Sequence, residues 1–168
     1  APDYALVPRA RADEFAAAMT RAIGKLYPTL AGNRDYTSIV NARHYARLVG
    51  LLADARSRGA RIVEVNPSGE TLDPSARKLA PALILDAGDE MAVMREEIFG
   101  PLLPVVTYDS LDDAIDYVNR RDRPLALYWF GDNAARRDRV LRGTIAGGVT
   151  VNGCLTHFAQ EAQPFGGV

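Results

Sequence analysis

The residues of this chain that best suit chemistry by type and spacing lie in one heptapeptide, 95–101, which reads Arg-Glu-Glu-Ile-Phe-Gly-Pro. The carboxylate of Glu97 can accept hydrogen bonds from a polyol, and the ring of Phe99 can contact another flat ring. Gly100 beside Pro101 predicts a tight turn, because glycine accepts backbone angles that other residues resist and proline fixes its own φ. We therefore expect Glu97 and Phe99 to be presented in fixed directions. An ordinary surface turn with two solvated glutamates is the alternative that these residues alone leave open.

One other pair of residues, Cys154 and His157, has the types found in a nucleophile pair. A separation of three residues in a loop fixes no hydrogen bond between thiol and imidazole, so we expect Cys154 not to be a catalytic nucleophile. With one Cys and two His in the chain, neither a disulfide framework nor a metal-ligand cluster at recognisable spacing is predicted.

Two apolar runs flank the heptapeptide, residues 82–85 before it and residues 103–108 after it, and both have the pattern of buried strands. Further short strands are predicted at residues 4–7, 61–65, 125–130 and 147–152. Loops held by a sheet are frequent sites of ligand binding, which favours a functional interpretation of the heptapeptide.

Two long segments before the heptapeptide have helical periodicity. Residues 11–26 place the following apolar side chains on one face: Phe15, Ala18, Met19, Ala22, Ile23 and Leu26. Residues 42–57 place another set inward, namely Tyr45, Leu48, Leu51, Leu52 and Ala55, and Gly59 is placed to end this helix. Its outer face carries Arg43, Arg47, Arg56 and, just beyond, Arg58, which we interpret as solvated and not as a phosphate site.

Two shorter helices are predicted after the heptapeptide. One begins after Ser110, which can cap it, and ends near Asn119; Asp113 suits the positive end of its dipole. The other covers roughly residues 133–142, with Asp132 as its expected cap. The alternation of strands and helices predicts an α/β fold with an open, mostly parallel sheet and helices packed on it, in a single domain over residues 1–168.

The composition excludes several classes of function. Lys and Arg number 20 against 21 Asp and Glu, so nothing favours binding to nucleic acid or to an acidic membrane surface. The longest uncharged run, residues 143–160, contains Thr, Asn, His, Gln and four Gly, which is unlike a membrane span. A single Cys fits a reducing compartment, and we expect a cytoplasmic protein. Because a protein rarely begins inside a strand, we also expect this chain to be a piece of a longer one.

The hexapeptide within this loop, residues 96–101, resembles the Glu-Glu-Ile-Phe-Gly-Pro signature of the aldehyde dehydrogenase superfamily without a gap. In that family the second glutamate holds the ribose hydroxyls of the nicotinamide nucleotide, and the Phe flanks its nicotinamide half. The resemblance implies that Glu97 and Phe99 bind NAD or NADP.

Other segments resemble the class 3-like branch of the same family, in its C-terminal part of the catalytic domain. They are residues 1–4 (Ala-Pro-Asp-Tyr), residues 35–41 (Asp-Tyr-Thr-Ser-Ile-Val-Asn) and residues 164–168 (Pro-Phe-Gly-Gly-Val). In that branch Ala-Pro-Asp-Tyr follows the catalytic cysteine, so the resemblance implies a nucleophile two positions before Ala1 and no catalytic residue within the chain. It also implies a substrate pocket lined by Gly153, Cys154, Leu155, Thr156, His157 and Phe165.

The resemblance implies an enzyme that oxidises an aldehyde, with coniferyl or another aromatic aldehyde as the expected substrate, to the acid through a cysteine thioester. The nucleotide-binding domain, the general base and the oligomerisation arm would lie outside residues 1–168, so we expect this chain alone to be inactive and to self-associate through an exposed sheet edge. The parent enzyme would be a homodimer or homotetramer. Two alternatives stay open: a stand-alone α/β binding module, or an interaction module without a ligand.

Overall fold

The computed structural model describes residues 2–162 and confirms the α/β class. Its strands are β1 (Ala5–Pro8), β2 (Arg61–Glu64), β3 (Ala82–Leu85), β4 (Leu102–Tyr108), β5 (Ala126–Trp129) and β6 (Gly148–Val151). Its α-helices are α1 (Ala12–Leu26), α2 (Ala42–Ser57), α3 (Leu111–Asn119) and α4 (Ala134–Gly143). None of the helices in this described part is long and apolar enough to cross a membrane.

The chain divides into two compact units, the first ending at Thr107 and the second beginning at Tyr108. The first unit contains a four-stranded sheet in the order β1-β4-β3-β2, in which β3 runs parallel to β4 and antiparallel to β2. The second contains β5 and β6, paired in parallel. The mostly parallel character is confirmed, but the strands form two sheets. Periodicity identifies a strand without identifying its neighbour, which explains why the sequence did not indicate this division. The single domain over residues 1–168 stays a prediction.

The core of the first unit surrounds β3, whose four residues are all buried. Ala82 and Ile84 pack in one apolar cluster with the inner face of α2, whereas Leu83 and Leu85 pack in a second cluster with Ala16 of α1. Successive side chains of a strand point to opposite faces, so the two helices cover the two sides of this strand. A strand buried on both faces has a continuous apolar sequence, which is why residues 82–85 were easy to recognise.

Helix α1 differs from the prediction in how much of its apolar face is buried. Phe15, Ala16 and Met19 pack against the core, but Leu26 is 70% exposed and Ala18 and Ala22 are also exposed. The helical period determines which residues share a face, but it does not determine how far along the helix the packing partner extends.

The ends of the helices follow local side-chain chemistry. Asn41 caps α2 by accepting the His44 backbone N–H, and Gly59 follows that helix with a φ of 89°. Ser110 caps α3 as predicted, and the structure shows that Asp113 completes a capping box with it. The predicted cap of α4 was wrong by one residue: the side chain of Asn133, not Asp132, accepts the Arg136 N–H at 3.0 Å. Both residue types cap helices well, so the sequence alone could not choose between neighbours.

Candidate functional site

The core of the first unit holds the loop 95–101 at two points, Ile98 and Pro101. Ile98 is buried among the apolar residues of α2 and β3. After the turn, the carbonyl oxygen of Pro101 accepts a hydrogen bond of 2.9 Å from the backbone N–H of Ala82, the first residue of β3. The loop is therefore fixed by the same sheet that the sequence predicts on either side of it.

Arg47 of α2 makes the most extensive polar contacts to this loop. Its Nη1 donates to the Glu97 carbonyl oxygen at 3.0 Å, and its Nη2 donates to the carbonyl oxygen of Ile98. Nη1 also lies 3.4 Å from the Glu96 carboxylate. One guanidinium thus joins the helix to three consecutive residues of the loop.

These contacts correct the prediction that the arginines of α2 are all solvated. Arg47 is 27% exposed and bonds to the loop, whereas Arg56 and Arg58 form surface ion pairs with Glu64 and Asp54. No local pattern distinguishes Arg47 from the other arginines, because its acceptors lie about 50 positions further along the chain.

Phe99 has an unusual combination of backbone and side-chain features. Its φ is 51°, in the left-handed region, and its ring is 71% exposed. For a residue with a bulky side chain this backbone conformation costs on the order of 1–3 kcal/mol. Because the ring is mostly exposed, hydrophobic burial does not offset that cost. Strain of this kind persists where surrounding contacts impose it, and it is frequent at ligand sites.

Gly100 serves a different purpose from the one predicted. The left-handed residue of the turn is Phe99, and Gly100 does not have a positive φ. Instead, a Cβ on Gly100 would lie 2.5 Å from Cδ1 of Leu48, a fully buried residue of α2. Glycine is needed here because the loop and the helix approach each other too closely for any side chain.

Glu97 is exposed beside Phe99, and within residues 2–162 its carboxylate has no hydrogen bond or ion pair. Its backbone is held by Arg47, so the oxygens of a fixed residue stay available to an external donor. An unpaired carboxylate two residues before an exposed ring suits the ribose hydroxyls and the nicotinamide ring that the resemblance implies for these two residues. Their role in binding the cofactor stays a prediction.

The predicted substrate segment lies in the second unit, where it contacts the end of the β5–β6 sheet. The His157 ring lies 5.9 Å from the ring of Tyr128 and 6.2 Å from that of Phe158, measured between centroids. Its Nδ1 lies 3.4 Å from Oγ1 of Thr150 on β6. A Cβ on Gly148 would come within 2.5 Å of the His157 ring, so this glycine permits the ring to pack on the strand.

Two residues of this segment also have positive φ values, Asn152 at 52° and Leu155 at 68°. The side chain of Asn152 accepts a 2.9 Å hydrogen bond from the backbone N–H of Gly131, which supports its turn. Leu155 and Phe158 are exposed. The segment thus presents apolar and aromatic side chains from a turn that is fixed to the sheet.

Tyr128 belongs to this cluster, although the sequence did not single it out. Partial burial raises the pKa of Tyr128, the nearby Cys154 acts in the same direction, and the backbone N–H of Leu155 opposes them. Its side chain shares a face of the sheet with that of Thr150, its partner across the strands. The sequence signal that could have identified Tyr128 is an aromatic residue within the predicted strand 125–130, where it can contact a side chain on a neighbouring strand.

Cys154 is a free, exposed cysteine, and the imidazole Nδ1 of His157 faces Thr150. Gly153 and Leu155 lie in the bend that follows β6, and Thr156 begins a short 3-10 helix that ends at Ala159. The role of residues 153–157 as a substrate pocket stays a prediction. Phe165 lies outside the described residues. In the described part of the chain, no group of three or more His, Cys, Asp or Glu side chains is arranged to hold a metal ion.

Among the described residues, one buried side-chain nitrogen lacks a hydrogen-bond partner. It is Nδ1 of His44, on the first turn of α2. The sequence indicated no acidic or Cys partner for this residue.

Comparison with known proteins identifies relatives over the full chain. The "Probable coniferyl aldehyde dehydrogenase" of Caulobacter vibrioides is 53% identical over 169 residues, which cover 100% of this chain and 35% of that protein. The "Coniferyl aldehyde dehydrogenase" of Pseudomonas sp. is 51% identical with the same coverage. The chain therefore spans about a third of the length of these relatives.

Solved structures show the same fold. Staphylococcus aureus AldH, in a substrate-bound state, has a TM-score of 0.85 and 38% identity, over 100% of this chain and 35% of that one. The P. syringae indole-3-acetaldehyde dehydrogenase AldA, in complex with NAD+ and IAA, has a TM-score of 0.74 and 26% identity, over 89% of this chain and 30% of that one. The model of the aldehyde dehydrogenase family matches residues 1–168. The resemblance of the loop signature is thereby confirmed, and this chain belongs to the aldehyde dehydrogenase family.

Proposed function

We propose that this chain is part of an enzyme that oxidises an aldehyde to a carboxylic acid with NAD or NADP. Membership of the aldehyde dehydrogenase family supports the reaction, and the NAD+ in the P. syringae relative supports the cofactor. The names of the relatives at 53% and 51% identity favour coniferyl aldehyde as the substrate. A bulky aromatic aldehyde also suits the exposed aromatic side chains of residues 153–158.

The observation that carries this proposal is the fixed loop on which Glu97 and Phe99, two residues apart, are both exposed. When bound, the nicotinamide supplies the hydride acceptor. The Glu97 carboxylate accepts hydrogen bonds from the ribose hydroxyls, and the Phe99 ring restricts the position of the nicotinamide half. Holding both on one rigid loop lowers the entropy lost in aligning donor and acceptor carbons, which is a large part of the barrier to a bimolecular transfer.

The second unit contributes the aldehyde pocket in this proposal. Residues 153–157 line it, and the Tyr128, His157 and Phe158 rings supply apolar surface to an aromatic substrate. Cys154 is a pocket residue without a covalent role, since the resemblance implies a nucleophile that precedes Ala1.

The test uses the full-length protein that contains this chain, with NAD+ or NADP+ and coniferyl aldehyde. Glu97→Gln and Phe99→Leu should each raise the KM for the dinucleotide or lower kcat, by about tenfold, while the KM for the aldehyde changes little. Glu14→Gln, which removes an exposed carboxylate paired with Arg11, is the matched control and should leave both constants unchanged. Unaltered kinetics in both loop variants would exclude the proposed role of the loop.

The proposal includes a homodimeric or homotetrameric parent enzyme and a cytoplasmic location. The exposed apolar residues of the second unit support association, and the single free cysteine is consistent with a reducing compartment. Sedimentation velocity of the full-length protein tests the oligomeric state, and a monomer at all concentrations would contradict a dimer or tetramer.

A further inference from the structure

We infer that Arg47 is a positioning residue for the dinucleotide: it acts through the backbone of the loop 95–101 and does so by fixing Glu97 and Phe99. This inference rests on the proposed function, because it concerns the same two residues. It concerns a side chain on α2 that the loop signature does not include.

The first support is the set of acceptors. The two Nη atoms bond to the carbonyl oxygens of Glu97 and Ile98, which are consecutive residues, and Nη1 also reaches the Glu96 carboxylate. A planar guanidinium that joins neighbouring carbonyls fixes the orientation of both peptide groups, and the ammonium of a lysine cannot reproduce that fork. The peptide group between Ile98 and Phe99 is one of them.

The second support is the backbone of Phe99. Its ring is 71% exposed and therefore contributes little packing that would hold φ at 51°. The restraint must come from its neighbours: Ile98 is buried, Gly100 lies against Leu48, and Arg47 holds the two preceding carbonyls. Of these restraints, the arginine is the one that a substitution can remove without opening a cavity in the core.

The third support is charge. Arg47 pairs with Glu96, so the carboxylate of the adjacent Glu97 is not drawn into the same ion pair and stays free within residues 2–162. Removing the guanidinium takes away the fixed cation and lets both glutamates reorient. The backbone that fixes the positions of Glu97 and Phe99 then loses its restraint from α2.

The test is a mutant cycle in the full-length protein. Arg47→Met should raise the KM for the dinucleotide by about tenfold in the natural sequence, with little change in the KM for the aldehyde. In a protein that already carries Glu97→Gln and Phe99→Leu, the same substitution should change that KM less than about twofold, because the groups that it positions are gone. Arg56→Met, on the same helix with a surface ion pair to Glu64, is the matched control and should have no effect in either background.

Equal effects of Arg47→Met in both backgrounds would show a general loss of folding and overturn the inference. Arg47→Lys provides a variant that keeps the charge and should give an intermediate KM. If the Glu97 and Phe99 variants alone leave the kinetics unchanged, the proposed function fails and the positioning role for a dinucleotide fails with it.

A measurement without cofactor distinguishes failure of the Arg47 inference from failure of the proposed function. Hydrogen exchange of the peptides covering residues 95–101 should be faster in Arg47→Met than in the natural protein or in Arg56→Met, with other regions unchanged. Unchanged exchange there would overturn the inference even if the proposed function holds.

Discussion

Phe99 has a backbone conformation that opposes stability. It combines a left-handed backbone with a bulky, exposed ring, so its conformation is unfavourable locally and gains little from burial. Neighbouring residues supply the restraint. Natural proteins retain such residues where the direction of the side chain matters more than its contribution to stability.

Phe99→Asn should therefore raise the free energy of unfolding of this chain by up to about 1 kcal/mol, because Asn adopts the left-handed region at lower cost. In the full-length protein the same change should weaken dinucleotide binding. Urea denaturation measures the first effect. Phe130→Asn is the control, since Phe130 is 63% exposed without a positive φ, and it should give no stabilisation. Destabilisation by Phe99→Asn would contradict the assignment of strain.

Gly100→Ala should lower the free energy of unfolding by about 1–3 kcal/mol, as expected for overpacking. The added methyl would meet the buried Leu48 side chain at 2.5 Å. Gly50→Ala is a control of opposite sign: Gly50 lies on α2 with nothing within 4 Å of the added carbon, so the higher helix propensity of Ala should stabilise by up to about 1 kcal/mol. Thermal unfolding of both variants tests this pair. If Gly100→Ala raises the unfolding temperature as Gly50→Ala should, the close contact between Gly100 and Leu48 is ruled out.

Elements of this chain are positioned by short polar contacts as well as by apolar packing. Before α2, the backbone N–H groups of Leu30 and Ala31 donate to the Glu70 carboxylate, and Lys78 donates to the carbonyl oxygens of Leu30 and Asn33. These contacts fix a turn-rich connection that has little regular structure. Within this connection the Leu30 side chain is fully buried in a cluster with Tyr36 and Ala80.

The Glu70 contacts predict a pH dependence of stability. The backbone N–H of Leu30, then the Ser68 hydroxyl and the Ala31 N–H, lower the pKa of Glu70 from its ordinary 4.5. A lowered pKa in the folded state means that the carboxylate stabilises fully above pH 4.5 and that this contribution is lost as the pH falls through the folded value. Urea denaturation should give a smaller loss of stability below pH 4.5 for Glu70→Gln than for the natural chain. If the free energy of unfolding falls equally with pH in both proteins, the stabilising role of the Glu70 carboxylate is contradicted.

The cap of α4 gives a second prediction for an element. Asn133→Ala should cost about 1 kcal/mol of stability, because the Arg136 N–H loses its acceptor. Asp132→Ala should cost much less, since Asp132 precedes the cap that the structure shows. Thermal unfolding of the two variants distinguishes them, and a larger loss for Asp132→Ala would restore the assignment made from sequence.

For the whole molecule, two small sheets leave strands at their edges, and self-association through such an edge stays a prediction. In the second unit, Val149 and Val151 of β6 lie on one face and are 41% and 43% exposed. Replacing both by Lys should reduce concentration-dependent association of this chain in sedimentation velocity, because charged side chains disfavour strand pairing. Lys at Ala17 and Ala53, both exposed on helices, adds the same charge and should leave association unchanged. Association that persists in the valine variant would locate it elsewhere.

The sequence by itself determined the elements and the chemical character of the loop. Periodicity within short windows located the two strands around the loop and the helices before it, and the signature from Glu96 to Pro101 identified the family. It also placed the cap of α3 at Ser110, because capping depends on residues within one helical turn. Each of these features depends on near neighbours in the chain.

Only the tertiary structure decided how the loop is held. It assigned the left-handed conformation to Phe99, gave Gly100 its close contact with Leu48, and brought Arg47 to carbonyls about 50 positions away. It also divided the strands between two sheets. The physical reason is that these features depend on tertiary contacts between segments that are distant in the chain. Periodicity and local propensity contain no information about such contacts.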